Sequence, residues 1–165
     1  MAQPLPADRC LPDSPVIVGE SAAIRQLREE IAVAATCKEP VLIVGETGTG
    51  KELTARAVHA GSRRAAKPLS IVNCAAIPGE MIAPELFGHV AGAFTGASHS
   101  REGRLKAATG SSIFLDEITA TSNEFQVALL RTVEYGEIQP VGADGPALRA
   151  RARITSRFRG TQSLG

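Results

Sequence analysis

The 165-residue chain has no tryptophan, one tyrosine and only five phenylalanines, so any ring placed where little else is apolar stands out. Its three cysteines, Cys10, Cys37 and Cys74, are odd in number and follow no CxxC or Cys/His ligand spacing, which leaves a disulfide framework or a zinc site without support. Reduced thiols fit a cytoplasmic chain. No apolar run approaches membrane-spanning length, and the prolines of MAQPLPADRCLPDSP interrupt the stretch where a signal peptide needs unbroken apolar residues. Neither export nor membrane insertion is expected. Neither sign of charge dominates: 18 Lys and Arg against 17 Asp and Glu leave +1, so a nucleic-acid-coating protein is excluded and net charge names no partner. What remains, 44% apolar and 21% charged over one domain's length, describes a globular chain able to bury a core.

Hydrophobic spacing alternates between two periods. Residues 1–15 hold Pro4, Pro6, Pro12 and Pro15 and are expected to form a mobile leader, with order starting near Val16. Ser21 is placed to cap a helix carrying Ile24, Leu27, Ile31 and Ala34/Ala35 at helical spacing and running to about Ala35. VLIV (41–44) reads as a buried parallel strand, ELTARAVHA (52–60) as a helix ended by Gly61, and LSIVN (69–73) as a second strand. IFL (113–115) repeats the strand signature, and residues 124–137 read as an amphipathic helix with Phe125, Leu129, Leu130 and Val133 on one side. Strand, helix, strand in this order predicts an α/β fold with a parallel sheet.

GETGTGK (45–51) stands directly after a strand and before a helix, the context in which G-x-x-x-x-G-K forms a phosphate-binding P-loop. Gly45, Gly48 and Gly50 free the backbone to point consecutive N–H groups inward, the helix N-terminus adds partial positive charge, and Lys51 would reach the β- and γ-phosphates. Glu46, Thr47 and Thr49 complete the loop. Glu52 follows the lysine where the general motif has a magnesium-binding Ser or Thr, so metal ligation must differ in detail. IFLDEI (113–118) delivers two carboxylates at a strand end, the edge at which open α/β sheets bind ligands. Asp116 suits holding Mg²⁺ through its water shell and Glu117 suits orienting the attacking water, unless both acids only favour a helix dipole.

GAFTGA (92–97) carries Phe94 among glycines, alanines and a threonine, with too little apolar bulk to anchor a core. Gly92 and Gly96 permit a hairpin-like tip, Ala93 and Ala97 keep it slim, and Phe94 either meets a partner or tucks back against its own domain. Together with GETGTGKE, NCAA (73–76), ELFGHVAGAFTGA (85–97) and IFLDEI, in this order and spacing, the chain resembles the AAA+ domain of bacterial sigma-54-dependent transcription activators, over roughly residues 16–142. Glu52 is what that family usually carries. The resemblance implies a P-loop NTPase three-layer sandwich, ATP and Mg²⁺ as ligands, a homo-oligomeric ring, and a loop whose Phe94 and Thr95 contact sigma-54 so that hydrolysis opens the promoter complex. It also implies that Asn73 couples nucleotide state to the loop through Glu117, with a strand-end cap as the alternative, and that Val18 and Gly19 line the adenine site, with a buried apolar turn as the alternative. His59, His89 and His99 are scattered and read as structural or exposed; His89 belongs to the ELFGH motif.

The C-terminal stretch departs from the family pattern. ALRARARITSRFRGTQSLG (147–165) aligns loosely with the family's sensor strand, with Ser156 in place of an asparagine, and the trans-acting arginines, helical lid and DNA-binding domain are missing. Arg149, Arg151 and Arg153 alternate, and a central strand cannot bury three unpaired guanidinium groups, so 147–165 is expected to be an irregular, exposed, out-of-family tail beyond a partial domain of 16–146. VLIV (41–44) is then expected to form an unprotected edge that drives self-association. Two functions follow: a Mg²⁺-dependent ATPase acting on sigma-54 RNA polymerase, or a truncated remnant that binds nucleotide or sigma-54 without hydrolysis.

Overall fold

The computed structural model describes residues 17–46, 48–150 and 152–158, the last four by their backbone alone. Four parallel strands form the central sheet in the order β1-β8-β5-β2: β1 (Val41–Val44), β8 (Arg153–Phe158), β5 (Ser112–Asp116) and β2 (Ser70–Asn73). Helices cover both faces. On one, α2 (Lys51–Ala60) sets Ala55 against Ile43 and Phe114, with α1 (Ala22–Thr36) outside it. On the other, α3 (Gly79–Phe87), the short α4 (Arg104–Ala107) and α5 (Asn123–Tyr135) bring Ile82, Leu86, Leu105, Phe125 and Leu129 onto Val72, Ile113, Leu115 and Ile154.

Strand β5 explains why the sheet forms where it does. Ile113, Phe114 and Leu115 are fully buried, alternately facing the two helical layers, and burial of side chains this size stabilises by about 1.5–3 kcal/mol each. Local signals set the helix ends. Ser21 accepts a hydrogen bond from the Ile24 N–H at 3.3 Å, and Ser122 does the same for Phe125 at the start of α5. Gly136 ends α5 in the left-handed conformation. Within α5 the expected apolar face is shifted: Leu130 is 54% exposed, and the buried position is Thr132, whose hydroxyl donates to the carbonyls of Ala128 and Glu137.

The C-terminal expectation is overturned. Residues 153–158 are not irregular; they form the strand between β1 and β5, pairing Val41 with Thr155 and Ile113 with Ile154. The objection from buried arginines fails because the three do not share one strand face. Arg149 lies exposed in β7 (Leu148–Arg149), which pairs with β6 (Glu137–Ile138), and Arg151 lies outside the described residues. Of the two that are described, Arg153 is buried, at 3% exposure, and its guanidinium donates to the carbonyls of Glu39 (3.1 Å) and Ala34. Those carbonyls stand at the end of α1 and in the turn before β1, so one side chain ties three segments together. The edge expectation holds: among the described residues β1 pairs only with β8, and Leu42 and Val44 are exposed. The leader lies outside the described residues.

A hairpin interrupts the second helical layer. Strands β3 (Gly88–His89) and β4 (Arg101–Glu102) pair antiparallel and carry the loop 90–100 between them. At its stem the two chains cross in backbone contact: a Cβ at Gly88 would lie 2.6 Å from the Arg101 carbonyl oxygen, and one at Gly103 would collide with backbone atoms of Leu86 to Gly88.

Candidate functional site

The parallel register brings three loops to one edge of the sheet. Strand β1 runs into the turn 45–50 and α2, β5 ends at Asp116-Glu117, and Asn73 at the end of β2 lies directly beside Asp116. The backbone of Ser156 lies between β1 and β5, level with Leu42 and Leu115.

In the turn, Gly48 (φ 81°) and Gly50 (φ 77°) both adopt the left-handed conformation that a side chain disfavours, and this bends the chain around its own N–H groups. Thr49 Oγ1 donates to the Glu46 carbonyl at 2.8 Å and accepts from Lys51 Nζ at 2.9 Å. Lys51 is 6% exposed, and a Cβ on Gly45 would approach Thr49 Oγ1 to 3.0 Å, so the pocket around the ammonium is closely fitted. Thr47 lies outside the described residues. Glu52 is turned along the helix and paired with Arg56 at 2.8 Å, an i,i+4 ion pair. Thr54, buried, donates to the Gly50 carbonyl and closes the first turn of α2.

At the end of β5, Asp116 Oδ1 accepts from the Glu117 N–H at 3.0 Å. Glu117 has φ 55° and ψ 40°, making it the one non-glycine residue with positive φ among the described residues. Such a conformation costs on the order of 1 kcal/mol and concentrates at functional positions. Asn73 Oδ1 accepts from the N–H groups of Ala75 and Ala76, so its carbonyl acts as the strand-end cap. Cys74, buried next along the chain, has its thiol pushed up to about 11 by burial and then by the Asp116 charge. Val18 is 83% exposed and beside Gly19, so the alternative of a buried apolar turn does not apply there.

The loop 92–97 stands apart, at the end of the hairpin. Gly92 N–H donates to the Ala97 carbonyl (2.8 Å) and Ala97 N–H to that of Phe94 (3.0 Å), which closes a tight turn with Thr95 and Gly96 exposed at its tip. A Cβ at Gly92 or Gly96 would meet nothing within 4 Å. Ala97 is buried and Ala93 packs against Gly142. Phe94 is half-buried, folded back so that its ring meets the His89 ring edge-on, centroids 5.0 Å apart at 64°. Sequence reading treated His89 only as a member of ELFGH. Nothing in the sequence reported the ring contact. His59, also read as structural, is buried on α2 with Nε2 2.8 Å from the Lys67 carbonyl, and burial holds its pKa below the ordinary value.

Among the described residues no helix is long and apolar enough to cross a membrane, and no group of three or more His, Cys, Asp or Glu is gathered to hold a metal.

The family model of the Sigma-54 interaction domain matches residues 17–158, which includes β8. The anaerobic nitric oxide reductase transcription regulator NorR of Aeromonas hydrophila is 49% identical over 154 residues, covering 93% of this chain and 30% of its own length. NorR of Klebsiella pneumoniae is 50% identical over 149 residues, covering 90% and 29%. This chain therefore spans about 30% of the length of these relatives. Among solved structures, NtrX of Brucella abortus in complex with ATP superposes with a TM-score of 0.78 at 34% identity, over 88% of this chain and 31% of that one. The P-loop NTPase domain of a sigma-54 activator from E. coli, at 18% identity and a TM-score of 0.54, shares the fold. By sequence, motifs and architecture the chain belongs to the Sigma-54 interaction domain family, the P-loop AAA+ module of sigma-54-dependent transcription regulators.

Proposed function

We propose that this chain binds ATP with Mg²⁺ in the turn 45–51, hydrolyses it with Glu117, and presents residues 92–97 to sigma-54 RNA polymerase, so that turnover promotes promoter opening. One observation carries the reading: the strained Glu117 stands at the same sheet edge as the two left-handed glycines of the phosphate turn, on the strand that also ends in Asp116. The residues present fit a triphosphate, since the Gly45 cradle, the left-handed Gly48 and Gly50 and the nearly buried Lys51 at the start of α2 match a compact polyanion.

Each side chain then has a task. Gly45, Glu46, Thr47, Gly48, Thr49 and Gly50 wrap the phosphates with their backbone, and Lys51 offsets negative charge growing on the oxygens. Asp116 would hold Mg²⁺ through water, with Glu52 at the start of α2 in place of the usual hydroxyl; the metal supplies charge neutralisation on the phosphates. Glu117 accepts a proton from the attacking water, held at the required angle by its own backbone. Asn73, its carbonyl spent on the cap, has an amide N–H₂ to offer Glu117 and so to report nucleotide state toward the loop. Val18 and Gly19 offer an open apolar surface for adenine, and the similarity to NtrX, solved in complex with ATP, supports nucleotide binding in general. The working form is a homo-oligomeric ring in the cytoplasm, in which a neighbouring subunit completes the site.

Titration with Mg²⁺ and an ATP analogue is expected to give a saturable signal that Lys51→Ala abolishes. Phosphate release is expected to rise steeply with protein concentration and to vanish in Glu117→Ala. Saturable binding with no release at any concentration would overturn the hydrolytic reading and leave a nucleotide- or sigma-54-binding module. Absence of binding would overturn the whole.

A further inference from the structure

We propose that His89 is a latch that stows Phe94 against the domain, so that the aromatic face of the tip becomes available only when loop 90–100 leaves the His89 ring. This rests on the reading that residues 92–97 meet sigma-54.

Three observations converge on it. The two rings meet edge-on at 5.0 Å, a geometry that favours the pair beyond the burial of the phenylalanine alone. His89 is itself immobile: its strand pairs with β4, it bridges Val141, and the flanking Gly88 carbonyl and Val90 N–H bond to the Val141 backbone at 2.9 and 3.1 Å. Phe94 instead sits on a turn whose glycines have nothing within reach. The His89 ring is thus anchored in the hairpin stem, while the Phe94 ring is carried by the open-sided turn at its tip. The third observation sets its strength, because His89 Nδ1 is buried without a hydrogen-bond partner in the stowed arrangement. An unsatisfied buried nitrogen disfavours the very state that the ring contact favours. The stowed form is thereby held weakly, and a rearrangement that lets Nδ1 reach water or another donor releases the tip. A plain aliphatic at position 89 would hold Phe94 by area alone, with no opposing cost.

The absence of native tryptophan makes the latch directly readable, since Phe94→Trp creates a single reporter in the full chain. In that background His89→Ala is expected to shift the emission to the red and to raise acrylamide quenching at least two-fold, and His89→Phe, which keeps a ring and removes the nitrogen, is expected to shift both the other way. Circular dichroism checks that each variant is folded, and either arm suffices if the other variant is not. Unchanged emission and quenching in the folded variants would overturn the latch, whatever sigma-54 does. In the chain with native Phe94, His89→Ala is expected to bind purified sigma-54 several-fold more tightly, with nucleotide binding unchanged. If the reporter moves and sigma-54 affinity does not, the latch stands and the sigma-54 contact falls.

Discussion

The two ends of the parallel sheet are built on opposite terms. At the end where strands finish, the backbone takes the left-handed conformation three times, freely at Gly48 and Gly50 and, against its own preference, at Glu117. At the end where strands begin, every bend is tied down by a cation on a carbonyl. Arg153 bonds Glu39 and Ala34, Arg64 bonds Ser111 at 2.7 Å, and Lys67 bonds Thr109 at 3.0 Å. Ser111 adds a bond to the Pro68 carbonyl at 2.7 Å. The difference teaches a division of labour: one end stores conformational strain for chemistry, while the other supplies the rigidity that keeps the strain from relaxing.

Four perturbations break or sharpen that contrast. Glu117→Gly removes both a carboxylate and a strained backbone, so ATP hydrolysis is expected to fall by about 10²–10⁴-fold while thermal stability holds or rises by up to about 1 kcal/mol. A loss of stability in this variant would show that the strain is not stored there. At the other end, Arg153→Met removes the donor to the Glu39 carbonyl and leaves Ala34 with the Cys37 N–H alone, and it is expected to cost about 2–4 kcal/mol in urea unfolding, with nucleotide affinity of the folded fraction unaltered. A cost below about 0.5 kcal/mol would place Arg153 among ordinary surface substitutions.

Smaller effects follow from titration. His59 is held below its ordinary value of 6.5 by burial, with the nearby Arg153 and Arg64 charges adding to the shift against the bond to Lys67. The unfolded chain therefore takes up a proton more readily than the folded one, so stability declines as pH falls below about 6.5 and levels off once His59 protonates in the native state. His59→Gln is expected to flatten that part of the curve in melts between neutral and mildly acidic pH. Smallest of all, iodoacetamide at neutral pH is expected to label Cys37, which is exposed, and to spare Cys74, whose thiol is buried and pushed up to about 11. Peptide mass spectrometry distinguishes the two, and prompt labelling of Cys74 would mean that the strand ends beside Asp116 open locally.

What the sequence disclosed was local. Ser21 and Gly61 announced their own structures, because a cap and a stop are decided by neighbours in the chain; VLIV forms the parallel strand its residues suggest but not a buried one, since Leu42 and Val44 are exposed at the sheet edge. The turn 45–50 between β1 and α2 was legible for the same reason: its glycines set the backbone within the loop itself. Contacts at long range were not legible. Arg153 reaches back more than a hundred residues for its partners, and without them a buried guanidinium looks forbidden, so a central strand was read as a loose tail. The physical rule was sound; the missing fact was that the strand begins beside the Ala34 and Glu39 carbonyls, which accept from the guanidinium. Phe94 was ambiguous in sequence because exposure and stowage use the same residues, and only the position of His89 across the hairpin stem separates them.

The crossing at Gly88 and Gly103 fixes how any displacement must travel. With main chain lying on main chain, no side chain is there to slip or repack, so α3 and α4 cannot shift without dragging both legs of the hairpin together. The tip is thus geared to its base like a pointer to its spindle, and a single methyl at either glycine should uncouple the two.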